Sequence, residues 1–228
     1  MVVEKLLKIA LLGASWVMYL MIALSVVSIG AMVERWLFFW KRNQDADDLE
    51  EQLLKLLEAG DREGAQALLD KAKPRSFEAE ALGPALKYLD AGPDALVDCV
   101  DAEFIKIRQE CEKGMNLLAT LGNNAPFIGL FGTVIGVIIA FQKLGQSQGA
   151  NSMSSVMGGI AEALVSTGVG LFLALPAVIA YNLLAKKVET IDGNLQSIVK
   201  HVTAFLKARH ATEPTAVRRS VSMIERAG

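Results

Sequence analysis

Residues 115–142 read MNLLATLGNNAPFIGLFGTVIGVIIAFQ, and residues 156–185 read VMGGIAEALVSTGVGLFLALPAVIAYNLLA. Across 115–185 the only charged side chains are Lys143, in the connection, and Glu162. Residues 114–142 carry no charge over 29 positions, and residues 163–185 carry none over 23. A third run, residues 9–33, is uncharged over 25. A helix needs about 20 mostly apolar residues to cross the hydrocarbon core, so each run is long enough. Buried helices of soluble proteins rarely run so far without charge. The pattern predicts an all-α integral membrane protein with three transmembrane helices.

Small residues recur along the second and third runs. Gly132, Gly136 and Ala140 are four apart, with Gly129 and Thr133 beside them; the third run repeats Gly158, Glu162, Ser166, Gly170 and Ala174. Gly159, Ala163 and Thr167 form a neighbouring row. In lipid, such rows mark faces where helices approach closely, so Gly129, Gly132, Gly136, Ser166 and Gly170 are expected on a packing or pore face. Glu162 belongs to that face by spacing. A carboxylate at mid-bilayer costs about 2.5–3.5 kcal/mol on insertion scales, so it faces a cavity or partner, or snorkels to the headgroups. On the first reading Glu162 lines a hydrated ion path with the hydroxyls of Thr133 and Thr167. On the second, each threonine simply bonds a carbonyl of its own helix. Pro126 and Pro176 lie inside spans, where each frees a carbonyl one turn earlier and can bend the helix.

The spans divide the chain into a first transmembrane helix (residues 1–40), a helical soluble segment (41–113), a second span (114–142), an outer loop (143–155), a third span (156–185) and a C-terminal helix and tail (186–228). Lys5 and Lys8 imitate a secretory leader, but the run that follows is too long and lacks a small-x-small cleavage site. Arg35, Lys41, Arg42, Lys106, Arg108, Lys113, Lys186 and Lys187 would lie on one side of the membrane and Lys5, Lys8 and Lys143 on the other. That excess places the C-terminus in the cytoplasm and the N-terminus outside. Trp36, Phe38, Phe39 and Trp40 fall where an interfacial aromatic belt belongs. Leu49, Leu53, Leu54, Leu56 and Leu57 predict a helix ended by Gly60, and Asp61 caps another. Lys73-Pro74 and Gly92-Pro93 are breaks. From Asp94, through Ala102, Ile105 and Cys111, the pattern reads as one helix running unbroken into span 2. Span 3 continues through Val188, Ile191, Leu195, Ile198, Val202 and Phe205, so both spans extend as long, amphipathic cytoplasmic helices.

Other chemistries find little support. Net charge is −2, with no basic stripe for nucleic acid. Cys99 and Cys111, twelve apart on a helix, point about 120° away from each other, which fits free thiols. His201 and His210 have no partners at metal or catalytic spacing, and the glycines of span 2 lack the Gly-Lys-Ser/Thr ending of a phosphate loop. No cofactor, metal site or enzyme activity is expected.

Residues 118–134, LATLGNNAPFIGLFGTV, resemble the second-span signature of the MotA/TolQ/ExbB proton channel family. Residues 159–167, GIAEALVST, followed by Gly170-Leu171 and Ala174-Leu175-Pro176-Ala177-Val178, resemble its third-span signature. Three spans fit the TolQ/ExbB branch. The resemblance implies a homo-oligomer, pentameric in this family, in a bacterial inner membrane. It implies a single-span ExbD/TolR-like partner whose membrane aspartate carries the proton, and work delivered to a TonB/TolA-like or gliding-machinery protein. By position, Thr133 and Thr167 match the family's pore threonines and Glu162 its third-span glutamate. Two departures stand out: Met157-Gly158 where many members have a proline, and Ser166-Thr167-Gly168 in place of Ala-Thr-Ala. A helical membrane scaffold without ion flux is the alternative reading.

Overall fold

The computed structural model describes residues 15–42, 45–146 and 151–225, and its regular structure there is entirely helical. The helices are α1 (Ser15–Lys41), α2 (Ala46–Glu58), α3 (Arg62–Ala72), α4 (Phe77–Ala85), α5 (Pro93–Glu112), α6 (Met115–Gln146) and α7 (Asn151–Glu225), with a 3-10 turn at Leu86–Tyr88. Lys5, Lys8, residues 9–14 of the first span and residues 147–150 of the outer loop lie outside the described residues. The chain forms two compact units, one of Met1–Leu37 with Lys113–Ala185, the other of Phe38–Glu112 with Lys186–Gly228.

The first unit holds α1 up to Leu37, α6, and α7 up to Ala185. Three helices here are long and apolar enough to cross a membrane. Its core is small: Val17, Met21, Ala125, Ile135, Leu173 and Ala174 are buried together. Much of the apolar bulk points outward instead, with Phe172 81% exposed and Phe127 68% exposed. That arrangement suits lipid or a partner helix as the solvent, because lipid exerts no hydrophobic drive to bury such side chains.

The second unit is packed as a water-soluble helical domain. In α2, Leu49, Leu53 and Leu57 turn inward while Leu54 and Leu56 are half-buried. Asp45 caps α2 by accepting from the Asp47 amide, Asp61 caps α3 by accepting from the Gly64 amide, and Ser76 caps α4 by accepting from the Ala79 amide. Each satisfies a backbone donor that the first turn leaves without an intrahelical partner. Gly60 and Gly92 take φ of 75° and 106°, so both supply the left-handed residue that ends one element before the next begins. Along α7, Val188, Ile191, Leu195, Ile198 and Val202 are buried as the spacing predicts, followed by Leu206, with Phe205 at the margin. In α5 the buried stripe is Leu96, Val100, Phe104, Ile107 and Cys111. Ala102 and Ile105 lie exposed, so of the expected row only Cys111 faces inward.

Three further expectations change. Helix does not run unbroken into span 2: α5 stops at Glu112, and Gly114, with φ 75°, resets the chain before α6 begins. An alanine there must adopt a left-handed conformation costing about 1–2 kcal/mol. Gly114→Ala should therefore lower thermal stability in detergent by that amount, whereas Gly168→Ala, inside a helix and facing open space, should hold or slightly raise the melting temperature. Phe38 and Phe39 do not join an aromatic belt. Phe39 is buried, both rings lie within 6 Å of Phe77 (5.7 and 5.8 Å between centroids), and the Arg42 guanidinium covers Phe38 and Phe77 while pairing with Glu80 at 2.6 Å. Trp36 and Trp40 remain exposed. The outer connection is shorter than residues 143–155, because α6 runs on through Gln146 and α7 starts at Asn151. His201 is an exposed helix residue whose Nδ1 contacts the Glu50 carboxylate; His210 has no described side chain. Neither Cys99 nor Cys111 forms a disulfide among the described residues.

Candidate ion pathway

The polar atoms of the first unit gather where α6 and α7 run antiparallel. Glycine sets their separation. A Cβ on Gly129 would lie 2.8 Å from the Ser166 carbonyl oxygen and 3.2 Å from the Gly170 Cα; one on Gly170 would lie 2.8 Å from the Ala125 carbonyl oxygen. Higher in the pair, a Cβ on Gly136 would meet the Ala163 Cβ at 2.5 Å, and one on Gly159 the Ala140 Cβ at 3.0 Å. At the other end Gly122 faces Val178. The two helices therefore approach closely over several turns, and at Gly129 and Gly170 a Cβ would run into backbone of the other helix.

The buried positions of α7 do not follow a spacing of four. Val156, Ala163, Ser166, Gly170, Leu173, Ala174 and Ala177 are buried and Gly159 half-buried, so the stripe steps alternately by three and four. That 3.5-residue period is what two nearly aligned helices present to each other. Gly158 and Glu162 leave the stripe, because a row at strict spacing of four drifts about 40° per step. Both are exposed. The same rhythm brings α1 in: Val17, Met21 and Ser28 are buried with Leu24 half-buried, and Val17 Cγ1 would lie 3.2 Å from a Cβ on Gly132.

Three hydroxyls follow from this geometry. Thr133 donates to the Leu130 carbonyl of its own helix at 2.6 Å, and Thr167 donates across the seam to Thr133 Oγ1 at a loose 3.4 Å. Both threonines are half-buried, at the edge of the seam. Ser166 lies inside it: its Oγ is buried with no hydrogen-bond partner among the described residues, and a Cβ on Gly132 would strike it at 2.0 Å. Ser28 on α1 carries the other buried hydroxyl without a partner among the described residues. Spacing singled out Ser166 but missed Ser28; its place on the α1 stripe, seven residues after Met21, was the available signal.

The structure thus brings Thr133, Thr167, Ser166 and the seam glycines together, and it does not bring Glu162 to them. Five residues separate Glu162 from Thr167, so they point about 140° apart on α7 and flank its contact with α6 on opposite edges. Pro126 and Pro176 sit within α6 and α7, which run on through them; Pro126 is half-buried and Pro176 exposed.

Comparison with known proteins covers this same region. The family model described as the MotA/TolQ/ExbB proton channel family matches residues 71–197, more than half of the chain. Biopolymer transport protein ExbB of Neisseria gonorrhoeae is 40% identical over 133 residues, 58% of this chain and 58% of that protein. Tol-Pal system protein TolQ of Pseudomonas aeruginosa is 41% identical over 118 residues, 50% of this chain and 51% of that one. A biopolymer transport protein ExbB of Xanthomonas campestris pv. campestris is 42% identical over 105 residues, 46% of this chain and 40% of its own length. The matches thus span about half the length of these relatives.

Proposed function

The chain belongs to the MotA/TolQ/ExbB proton channel family, in its TolQ/ExbB branch, and on that premise we propose that it is the channel-forming subunit of a motor driven by the proton-motive force. The observation that carries this reading is the Thr167–Thr133 hydroxyl contact, at the edge of a seam otherwise closed by glycine and alanine. In an apolar membrane unit such a pair offers water or a proton one of the few polar footholds. Because the seam itself has no room, the path runs along its edge and is closed by further chains. Glu162 and Thr167 point apart on one helix, so both border one path only where a neighbouring chain completes it.

The proposed assembly is a homo-oligomer, a pentamer by family precedent, in a bacterial inner membrane with the N-terminus periplasmic and the C-terminus cytoplasmic. A single-span ExbD/TolR-like partner supplies the membrane aspartate, since Glu162 is the one acid within residues 115–185. The work goes to a TonB/TolA-like or gliding-machinery protein. One charge crossing 100 mV is worth about 2.3 kcal/mol, so several protons per step drive a mechanical change.

The test is reconstitution of the chain in vesicles, alone and with such a partner, with flux followed by an internal pH dye. Flux is expected only with the partner. A complex that assembles and never conducts would establish the scaffold alternative instead. Glu162→Gln should lower flux through the assembled complex severalfold; an unchanged rate would show that Glu162 only snorkels to the headgroups.

A further inference from the structure

Residues 45–101 are acidic, with fifteen Asp and Glu against six Lys and Arg. One cleft in the second unit runs against that balance. It is about 710 Å³ in volume and is lined by Trp40, Lys41, Gln52, Leu68, Lys71, Ala72, Pro74 and Arg75. Three of the lining residues are cations and none is an acid. All three cations are exposed, and among the described residues none of them forms an ion pair with a carboxylate. Five other cations of the unit are paired: Arg42 with Glu80, Lys55 with Glu51, Arg62 with Asp90, Lys106 with Glu103 and Arg108 with Glu112. The carbonyls at the end of α3 are also occupied, Leu69 by the Lys73 amide and Ala72 by the Arg75 and Ser76 amides. The positive field of the cleft is therefore not cancelled from within.

Depth along α1 says which anion reaches it. Trp40 and Lys41 lie on the same continuous helix as the uncharged run ending at Val33. Seven residues of helix advance about 10 Å, which carries Trp40 from the hydrocarbon edge into the headgroup layer. Trp40 is 67% exposed there, and an indole at that level favours the interface. Lys41, Lys71 and Arg75 then surround a site where phosphodiesters are the abundant anion. We infer that this cleft binds the headgroup of an anionic phospholipid of the cytoplasmic leaflet, with Lys71 and Arg75 on the phosphate and Trp40 against the glycerol and upper acyl chain.

The full chain, reconstituted in nanodiscs of equimolar phosphatidylglycerol and phosphatidylcholine, tests this by native mass spectrometry of the lipid it retains. The wild type should hold phosphatidylglycerol preferentially. Each basic residue near an anionic surface is worth about a fivefold change in affinity, so Lys71→Gln with Arg75→Gln should weaken retention of the tightest phosphatidylglycerol about twenty-five-fold. Both side chains are exposed, so the melting temperature should hold, and Lys71→Arg with Arg75→Lys should keep the preference. Lys87→Gln, outside the cleft, is the control. Equal retention by wild type and the double glutamine variant would overturn the assignment. So would displacement of the lipid by millimolar inorganic phosphate, which would make this a site for a soluble anion.

Discussion

Thr167→Val should cut proton flux through the assembled complex by about 10- to 100-fold while leaving assembly intact. Valine matches threonine in shape, so the seam packing is preserved and only the hydroxyl is lost. That hydroxyl is the donor to Thr133, whose own proton is committed to the Leu130 carbonyl. Without it, Thr133 keeps its acceptor oxygen and the edge of the seam loses the donor that faces it. A hydrogen bond to a charged or charge-bearing group is worth about 1.5–3 kcal/mol, which sets the size of the loss. Thr190→Val is the matched control, because Thr190 donates only to the Lys186 carbonyl one turn back in the second unit. Dye-reported flux in vesicles, with co-purification to check the complex, decides it. Full flux in Thr167→Val would remove the hydroxyl pair from the path.

Gly129→Val should leave little folded protein in the membrane. Its added Cβ would lie 2.8 Å from a carbonyl oxygen and 3.1 Å from the Thr167 Cα, and both are backbone atoms. Neither can swing aside as a side chain would. The helices must separate along the whole pair, and overpacking of this kind costs about 1–3 kcal/mol for one methylene and more for a branched side chain. Gly168→Val carries the same change in helix propensity, but a Cβ there meets nothing within 4 Å. The difference in thermal stability between the two variants isolates the seam. Gly132→Ala should fall between them, because the Ser166 hydroxyl at 2.0 Å can rotate away while the Ser166 Cβ at 2.9 Å stays and must shift slightly. Equal stability of Gly129→Val and Gly168→Val would show that α6 and α7 do not touch as described.

Much of this was legible in the sequence because charge and length act locally. An uncharged run states its environment without reference to neighbours, so the three spans could be read directly. Caps and breaks were equally local: Asp61 and Gly60 act through their own backbone. What was not legible depended on which way a helix turns. The rows at spacing of four put Glu162 and Ser166 on one face; packing at a 3.5-residue period separated them, burying Ser166 and leaving Glu162 outside. Phe38 and Phe39 read as interfacial because nothing in their neighbourhood announces Phe77, which lies 38 residues away from Phe39. Glu78 shows the same limit. It looks like a surface acid, yet it is buried, accepting from the Ser76 hydroxyl at 2.8 Å and the Asn194 amide at 3.3 Å. Its role in holding α4 against α7 comes from a partner over a hundred positions away, and burial is tolerated because the carboxylate is hydrogen-bonded.

The contact of glycine on backbone between α6 and α7 has a consequence for the cell's energy supply. A membrane that stores a proton gradient is discharged by any stray pore, and channel subunits must be inserted one at a time before their complex exists. A helix pair sealed along its length, with Ser166 as the buried side-chain hydroxyl inside it, offers no continuous wet route through a solitary copy. Leakage would then be prevented by the fold itself, without a plug or chaperone, and conduction would switch on only with assembly.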